Sequence, residues 1–442
     1  MELHGKQVVV VGLGKSGTAA ARLCLAHGAN VVGTDSSTEA SISPEAKVLG
    51  IPLCLGGHDA VDFAGADLVV VSPGVPNFER LIAAEQAGVE VIGELELAAR
   101  FVAAPILLVG GTNGKSTTVT LLGDLLKAAG KHIFLGGNLG TPAAEAAGLA
   151  WDYVVYEISS FQAERVPKLK PKVSVLLNIT DDHLDRYQGF KEYASAKGNV
   201  FVNQGPEDVA IIPSGDPECA AQANRGHGRQ ISFGEDGQYR VRGRAVFEVS
   251  TKERFELSGS KLFGRPNLLN ASAAIAAARA VGVPRAAIEQ GLLDFVPLAH
   301  RMAFVREVAG VRYYDDSKAT NVGAAVTALT GIEEERAVLI AGGRDKLGSY
   351  APLADALEAK GRALVVMGEA KQAIMDAVGN RVPVYQAGSM NEAVELAAHV
   401  AQTGDAVLMS PACSSFDMFK SYAHRGDCFQ EAVRALSERK SL

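Results

Sequence analysis

The sequence predicts an α/β protein of three domains, each built around a mostly parallel sheet. Three observations carry that expectation. Short apolar, β-branched runs alternate with alanine- and leucine-rich helical stretches along most of the chain. Glycine- or hydroxyl-rich turns follow many of those runs directly, which is where open parallel sheets keep their ligands. The 442 residues also exceed what one core usually serves, so roughly two to four domains are expected. Boundaries near residue 93 and Pro297 give domains 1–93, 94–297 and 298–442.

Composition narrows the class. A net charge of −7 argues against a general nucleic-acid or anionic-membrane binder. Cys24, Cys54, Cys219, Cys413 and Cys428 are odd in number, scattered and without a C-x-x-C pair, which fits a reducing cytoplasm. The opening MELHGKQVVVVGLG enters a strand almost at once and has no signal-peptide pattern. No run of 18 apolar residues occurs, so no membrane insertion is expected.

The first domain opens with a strand at Gln7–Val11. Gly12, Gly14 and Gly17 then form G-x-G-x-x-G ahead of a helix through Leu25. A second strand, Asn30–Thr34, ends at Asp35, 18 residues past the third glycine. The spacing suits a nicotinamide dinucleotide, another nucleotide diphosphate, or helix–strand packing alone, because the physics is anion capture by backbone N–H groups. Ala66–Val71 and Val89–Ile92 are further strands, with Ser72-Pro73-Gly74 turning after the first. Glu94–Arg100 reads as a helix.

The second domain begins with ILLVGGTNGKSTTVTLL at 106–122: strand, glycine-rich loop, helix start. That layout is a phosphate-binding loop. Glycines admit phosphate oxygens where a Cβ would obstruct, Lys115 brings charge to the β/γ-phosphates and Ser116 a hydroxyl to Mg²⁺. Val109 stands where the full pattern has glycine, leaving the shortened G-x-x-G-K-S-T. An ordinary strand–turn–helix with a surface lysine is the alternative. Ile133–Leu135 is a strand ending in Gly136-Gly137-Asn138. Tyr153–Ile158 is a strand covered on both faces, and its Glu157 implies a metal contact or a buried salt bridge. After the strand Val173–Leu177, His183 stands among Asp181, Asp182 and Asp185 as a candidate cation site. Glu192–Asn203 reads as a helix on which Lys197, from pattern alone, is a solvated surface lysine. Residues from about 205 to 265 read as a small β-rich insertion. Asn267 precedes an alanine-rich helix and either caps it or meets a ligand.

The third domain repeats the βαβ alternation. Strands are expected at Val311–Tyr314, Ala337–Ala341, Ala363–Met367 and Ala406–Met409. Three end in polar clusters: Asp315 to Asn321, Gly342 to Lys346 and Ser410 to Asp417.

Seven motifs now stand together: GTNGKST (111–117), YEISSFQ (156–162), NITDDHLD (178–185), AHR (299–301), YYDDSKATN (313–321), GGRDK (342–346) and SPACSSFDMF (410–419). As a set, and over essentially the whole chain, they resemble the Mur ligases, the ATP-dependent amino-acid-adding enzymes of peptidoglycan precursor synthesis. Within that family the D-glutamate-adding branch is the most similar. The resemblance implies a Rossmann-like N-terminal domain, a P-loop ATPase-like central domain and a Rossmann-like C-terminal domain. It implies a cytoplasmic monomer that joins D-glutamate to UDP-N-acetylmuramoyl-L-alanine through an acyl phosphate. ADP and phosphate would be released, without nucleic acid or hydride chemistry.

Site residues follow from the same resemblance. Gly14, Lys15, Ser16, Ser36, Ser37 and Gly74 would hold the UDP part, with Asn138 and Gln162 along the muramoyl-alanine arm. Ser37 stands where the branch often has arginine. For ATP, the resemblance implies Gly111, Thr112, Asn113, Gly114, Lys115, Ser116 and Thr117 on the phosphates, and Arg301 on the γ-phosphate. Asn267 and His300 would lie near the adenine and Asp316 at the ribose, with Lys318 at the phosphate or the amino acid. One Mg²⁺ would sit with Ser116 and Glu157, a second with His183 and a carbamylated Lys197. Thr320, Lys346, Ser414, Ser415 and Tyr422 would hold the amino acid, Tyr422 replacing a frequent phenylalanine. Lys115, His183, Lys197 and Arg301 are the implied catalytic residues. A sibling Mur or folylpolyglutamate-type ligase, a nicotinamide-dependent oxidoreductase and a non-catalytic nucleotide switch remain alternatives.

Overall fold

Residues 1–38, 42–180, 182, 186–345 and 349–436 are described by the computed structural model. In the first domain, β1 (Gln7–Val11), β2 (Asn30–Asp35), β3 (Leu53–Leu55), β4 (Leu68–Val71) and β5 (Glu90–Gly93) pair in parallel in the order β3-β2-β1-β4-β5. Strand order reverses between β1 and β4, which opens a crevice at their carboxyl ends. The helix Lys15–Ala26 starts at that crevice and buries its alanine-rich face on the sheet.

The central sheet uses β6 (Ile106–Gly110), β7 (Ile133–Gly137), β8 (Tyr153–Glu157), β9 (Val173–Leu176), β10 (Val209–Pro213), β11 (Arg229–Gly234), β12 (Tyr239–Arg242), β13 (Ala245–Glu248) and β14 (Glu253–Glu256). Their order is β14-β13-β12-β11-β10-β9-β6-β8-β7. The β-rich segment expected at about 205–265 extends this sheet directly: β10 and β11 continue the parallel ladder, and β12 to β14 close it as an antiparallel meander. β6 explains its own sequence. Ile106 and Leu108 join the core shared with the first domain, while Leu107 and Val109 face the helices Lys115–Ala128 and Arg265–Ala280. A strand covered on both faces has no polar side to show, so its residues run apolar without alternation.

The third sheet contains β15 (Ala303–Val308), β16 (Val311–Asp315), β17 (Ala337–Gly342), β18 (Gly361–Met367), β19 (Val384–Gln386) and β20 (Ala406–Met409), ordered β15-β16-β20-β17-β18-β19. Only β15 and β16 pair antiparallel. The expected three-domain α/β architecture is therefore present. The expected strands lie within two residues of the observed ones at either end. β3, β15 and β19 were not expected: β3 and β19 have three residues each, and β15 is partly exposed. The helix expected at Glu192–Asn203 instead runs Phe190–Gly198. Glycine is a weak helix former, and β-branched Val200 and Val202 follow it. No helix among the described residues is long and apolar enough to cross a membrane.

Candidate active site

The loop after β6 is built to receive an anion. Gly111 and Gly114 have φ of +139° and +85°, and a Cβ on Gly114 would lie 2.3 Å from Asn270 Oδ1. Neither conformation suits a side chain. Asn178, just past β9, braces the loop. Its carbonyl accepts from Thr112 N at 3.0 Å and its Oδ1 from Asn113 N at 2.9 Å. The Thr112 hydroxyl meets Tyr193 Oη at 3.0 Å. The helix Lys115–Ala128 then starts at Gly114 without a side-chain cap, so its first-turn amides lack the usual capping acceptor and can serve an anion.

Two lysines converge beneath this loop. Lys115 Nζ donates to the carbonyls of Gly111 at 2.9 Å and Thr112 at 2.8 Å, and Lys197 Nζ donates to the same Gly111 carbonyl at 2.9 Å. Lys197 is 4% exposed, with its ammonium 4.6 Å from the Tyr193 ring centroid. The solvated reading of Lys197 is thus corrected: helix Phe190–Gly198 turns Tyr193, Ala194, Ala196 and Lys197 inward. Burial, reinforced by the neighbouring Lys115 charge, drives the Lys197 amine well below its ordinary range. Burial lowers Lys115 too, with Glu157 opposing the shift and Arg301 adding to it.

Glu157, at the end of β8, is 2% exposed. Its Oε1 accepts from Asn138 Nδ2 at 2.6 Å, and among the described residues its Oε2 has no hydrogen-bond partner. A buried, half-satisfied carboxylate fits a cation site. Beside it, Ser116 Oγ accepts from Arg301 Nη2 at 2.9 Å, across the junction with the third domain.

A cavity of about 560 Å³ opens over this edge, between the central sheet and the third domain. Gly114, Asn267, Arg301, Asp316 and Lys318 line it. Asn267 does not cap its helix; Gly264 occupies that position, and Asn267 Nδ2 donates to Phe263 O at 2.9 Å. Asp316 accepts from Ser410 Oγ at 2.9 Å and Met302 N at 3.1 Å, and burial pushes its carboxyl up to about 7. His300 is not on the cavity wall. It turns into the third domain, where Nδ1 meets Asp315 Oδ2 at 2.7 Å. A second cavity, of about 420 Å³, lies at the opposite edge of the central sheet. Its Arg100, Lys168, Lys170 and Lys172 are each paired with Glu90, Glu96 or Asp208, so it offers little uncompensated charge.

In the first domain, Gly14 caps helix Lys15–Ala26 without a side-chain bond, and a Cβ there would meet nothing within 4 Å. Gly14, Lys15, Ser36 and Gly74 are exposed, and Ser16 and Ser37 half-buried. Gly17 is required by packing: a Cβ would sit 1.7 Å from Gly12 O. Asp35 is spent on the turn itself, accepting from Leu13 N at 2.6 Å and Ser37 N at 2.8 Å. Burial opposes its ionisation, but those amides hold its carboxyl below the usual range. Gln162 Oε1 closes a capping box with Ser159.

Three family models cover these domains: a Mur ligase MurD-like N-terminal domain at 6–93, a Mur ligase middle domain at 109–278, and a Mur ligase glutamate ligase domain at 300–413. The UDP-N-acetylmuramoylalanine–D-glutamate ligase of Geotalea daltonii is 43% identical over 449 residues, covering 99% of each chain. The chain belongs to the Mur ligase family. The enzyme of the same name from Geobacter metallireducens is 44% identical over 455 residues, again covering 99% of both. The pseudomurein peptide ligase type C from Methanothermus fervidus shares the fold, with a TM-score of 0.62 at 19% identity, covering 98% of this chain and all of that one.

In this Mur ligase the loops that follow β16, β17 and β20 meet at the third sheet's carboxyl edge. Ser414 O accepts from Arg344 N at 2.9 Å, Lys318 Nζ lies 4.0 Å from the Tyr422 ring centroid, and Thr320 N donates to Lys318 O at 2.8 Å. Ser415 is buried. His183 and Lys346 lie outside the described residues. Arg425, absent from the sequence reading, is 1% exposed and ties the two loops together. It donates to Ser317 Oγ at 3.0 Å, Ser317 O at 2.9 Å and Cys413 O at 3.1 Å. Its register was the available signal: it falls on the stripe of Phe429, Ala432 and Val433 that its helix buries.

Proposed function

We propose that this Mur ligase joins D-glutamate to UDP-N-acetylmuramoyl-L-alanine in the cytoplasm, at the cost of ATP, with release of ADP and phosphate. The observation that carries this reading is a phosphate loop whose Ser116 accepts from Arg301 of the third domain, at the edge of an interdomain cavity. It occurs in a chain whose relatives at 43% and 44% identity carry that enzyme's name. The proposed domains, 1–93 for the sugar nucleotide, 94–297 for ATP and 298–442 for the amino acid, are supported by the breaks between the three sheets. A monomer is proposed with them.

A carboxylate resists amide formation because its leaving group would be oxide. Transfer of the γ-phosphoryl group gives an acyl phosphate, whose leaving group is phosphate. The loop amides, Lys115 and Arg301 neutralise the crowded oxygens, which is chiefly positioning and electrostatics. Lys115 Nζ spends two of its three N–H donors on the Gly111 and Thr112 carbonyls, which leaves one for a phosphate. The amine of D-glutamate then attacks the acyl carbon, and the tetrahedral intermediate expels phosphate. Gly14, Lys15, Ser16, Ser36, Ser37 and Gly74 are proposed for UDP, with Asn138 and Gln162 on the arm. Thr320, Lys346, Ser414, Ser415 and Tyr422 are proposed for the amino acid.

The unpartnered Glu157 oxygen fits a divalent cation, and Ser116 with Glu157 would hold one Mg²⁺. His183 and a carbamylated Lys197 would hold a second. When bound, these ions supply positive charge to the phosphate oxygens. A depressed amine pKa favours carbamylation, since the neutral amine is the form that reacts with carbon dioxide.

An amino-acid panel with UDP-N-acetylmuramoyl-L-alanine and ATP tests the proposal. Phosphate should appear only with D-glutamate. Equal release with L-alanine or a diamino acid would point to a sibling ligase, and release without any acceptor to a nucleotide switch.

A further inference from the structure

Glu94 opens the helix Glu94–Ala99 at the seam between the first and central sheets. Its side chain is 1% exposed. Oε1 accepts from Ala144 N at 2.7 Å, while among the described residues Oε2 has no hydrogen-bond partner. Burial pushes this carboxyl up to about 7, against the hydrogen bonds from Ala144 and Ala143. An apolar residue would fill the seam without that desolvation cost, so the contact itself needs an explanation.

The contact holds the short turn Ala143–Ala146. Tyr156 Oη grips the same turn, donating to Ala143 O at 3.0 Å. The turn ends the loop that follows β7. Within that loop Gly137 N donates to Thr141 O at 2.8 Å, and Asn138 N donates to Glu157 O at 2.9 Å. Asn138 Nδ2 then fixes Glu157 Oε1. A connected path therefore runs from the helix that follows the first sheet to the two residues proposed for the substrate arm and the cation. Glu94 also lines a small cavity with Ser72, Gly93, Gln162 and Arg165, between the two domains' loops.

We propose that Glu94 is a positioning residue for the acid arm of the sugar nucleotide: it pins the 143–146 turn to the helix that directly follows the first sheet, and with it the loop that presents Asn138 and aligns Glu157. The inference rests on the sugar-nucleotide ligase reading. Titration calorimetry with UDP alone and with UDP-N-acetylmuramoyl-L-alanine, on the parent and on Glu94→Ala, Glu94→Gln and Tyr156→Phe, tests it. UDP alone should bind all four within about two-fold. The extra affinity for the full substrate should fall about ten-fold in Glu94→Ala, the loss expected for one buried hydrogen bond. Glu94→Gln keeps an acceptor for Ala144 N–H and should retain that affinity. Tyr156→Phe, which deletes one hydroxyl, should lose about three-fold even if Glu94→Ala fails to fold. Parent-like affinity in a folded Glu94→Ala, or in Tyr156→Phe, would overturn the proposal. A parent that binds the full substrate no better than UDP would overturn the ligase reading beneath it.

Discussion

Two lysine amines share one carbonyl, that of Gly111, and the guanidinium of Arg301 stands one residue from Lys115, on Ser116. Like charges so close and so poorly solvated repel unless anions join them. The residue scale therefore already describes a site with a deficit of negative charge, which phosphate oxygens would fill. Lys197 is the member whose role depends on modification. Lys197→Ala should lower ligation by orders of magnitude, and short-chain carboxylic acids added to the assay should restore part of it by replacing the carbamate. A variant as active as the parent, or one that carboxylic acids leave unchanged, would dismiss the carbamate. The helix that carries Lys197 was readable in the sequence, but the burial of Lys197 was not. Desolvation depends on what packs above the side chain, and the phosphate loop arrives there only through the fold.

At the scale of elements, the phosphate loop works because a helix from elsewhere in the sequence presses on it. Asn270, on the helix Arg265–Ala280, sits where a Gly114 Cβ would be. Gly114→Ala should thus combine an unfavourable positive φ with a steric conflict, destabilising the protein by about 2 kcal/mol or more. A melting curve and an ATP-analogue titration check both consequences, and a variant with unchanged melting temperature and affinity would show that the loop has room to adjust. The glycine at this position was legible as part of G-x-x-G-K-S-T; the neighbour that makes it necessary was not. Arg425 repeats the lesson. A heptad-like stripe placed it inward, but only the pairing of β16 with β20 brings the Ser317 and Cys413 carbonyls to its guanidinium.

At the scale of the molecule, polar contacts tie the third domain to the central one. Arg301 reaches Ser116, Arg244 meets Glu333 at 2.6 Å, and Asn321 Nδ2 donates to Asp182 at 3.4 Å. A cavity of about 560 Å³ lies between the two domains. Closure of that cavity on ATP and sugar nucleotide would exclude water from an acyl phosphate. Small-angle scattering should show a smaller radius of gyration with an ATP analogue and the sugar nucleotide than without them; identical profiles would count against closure.

Local regularities settled much of this protein before any coordinates. Apolar strand periods, the glycine-rich turn ahead of Lys115 and the seven motifs defined three parallel-sheet domains and the Mur ligase family, because strand burial and anion capture are written in adjacent residues. Tertiary structure decided the rest: that β10 to β14 extend one sheet, that Lys197 is buried, that His300 turns away from the cavity, and that Glu94 and Arg425 brace loops far from them in sequence. Those outcomes depend on desolvation and on hydrogen bonds between distant segments, and no local pattern encodes what a side chain will meet across a domain seam.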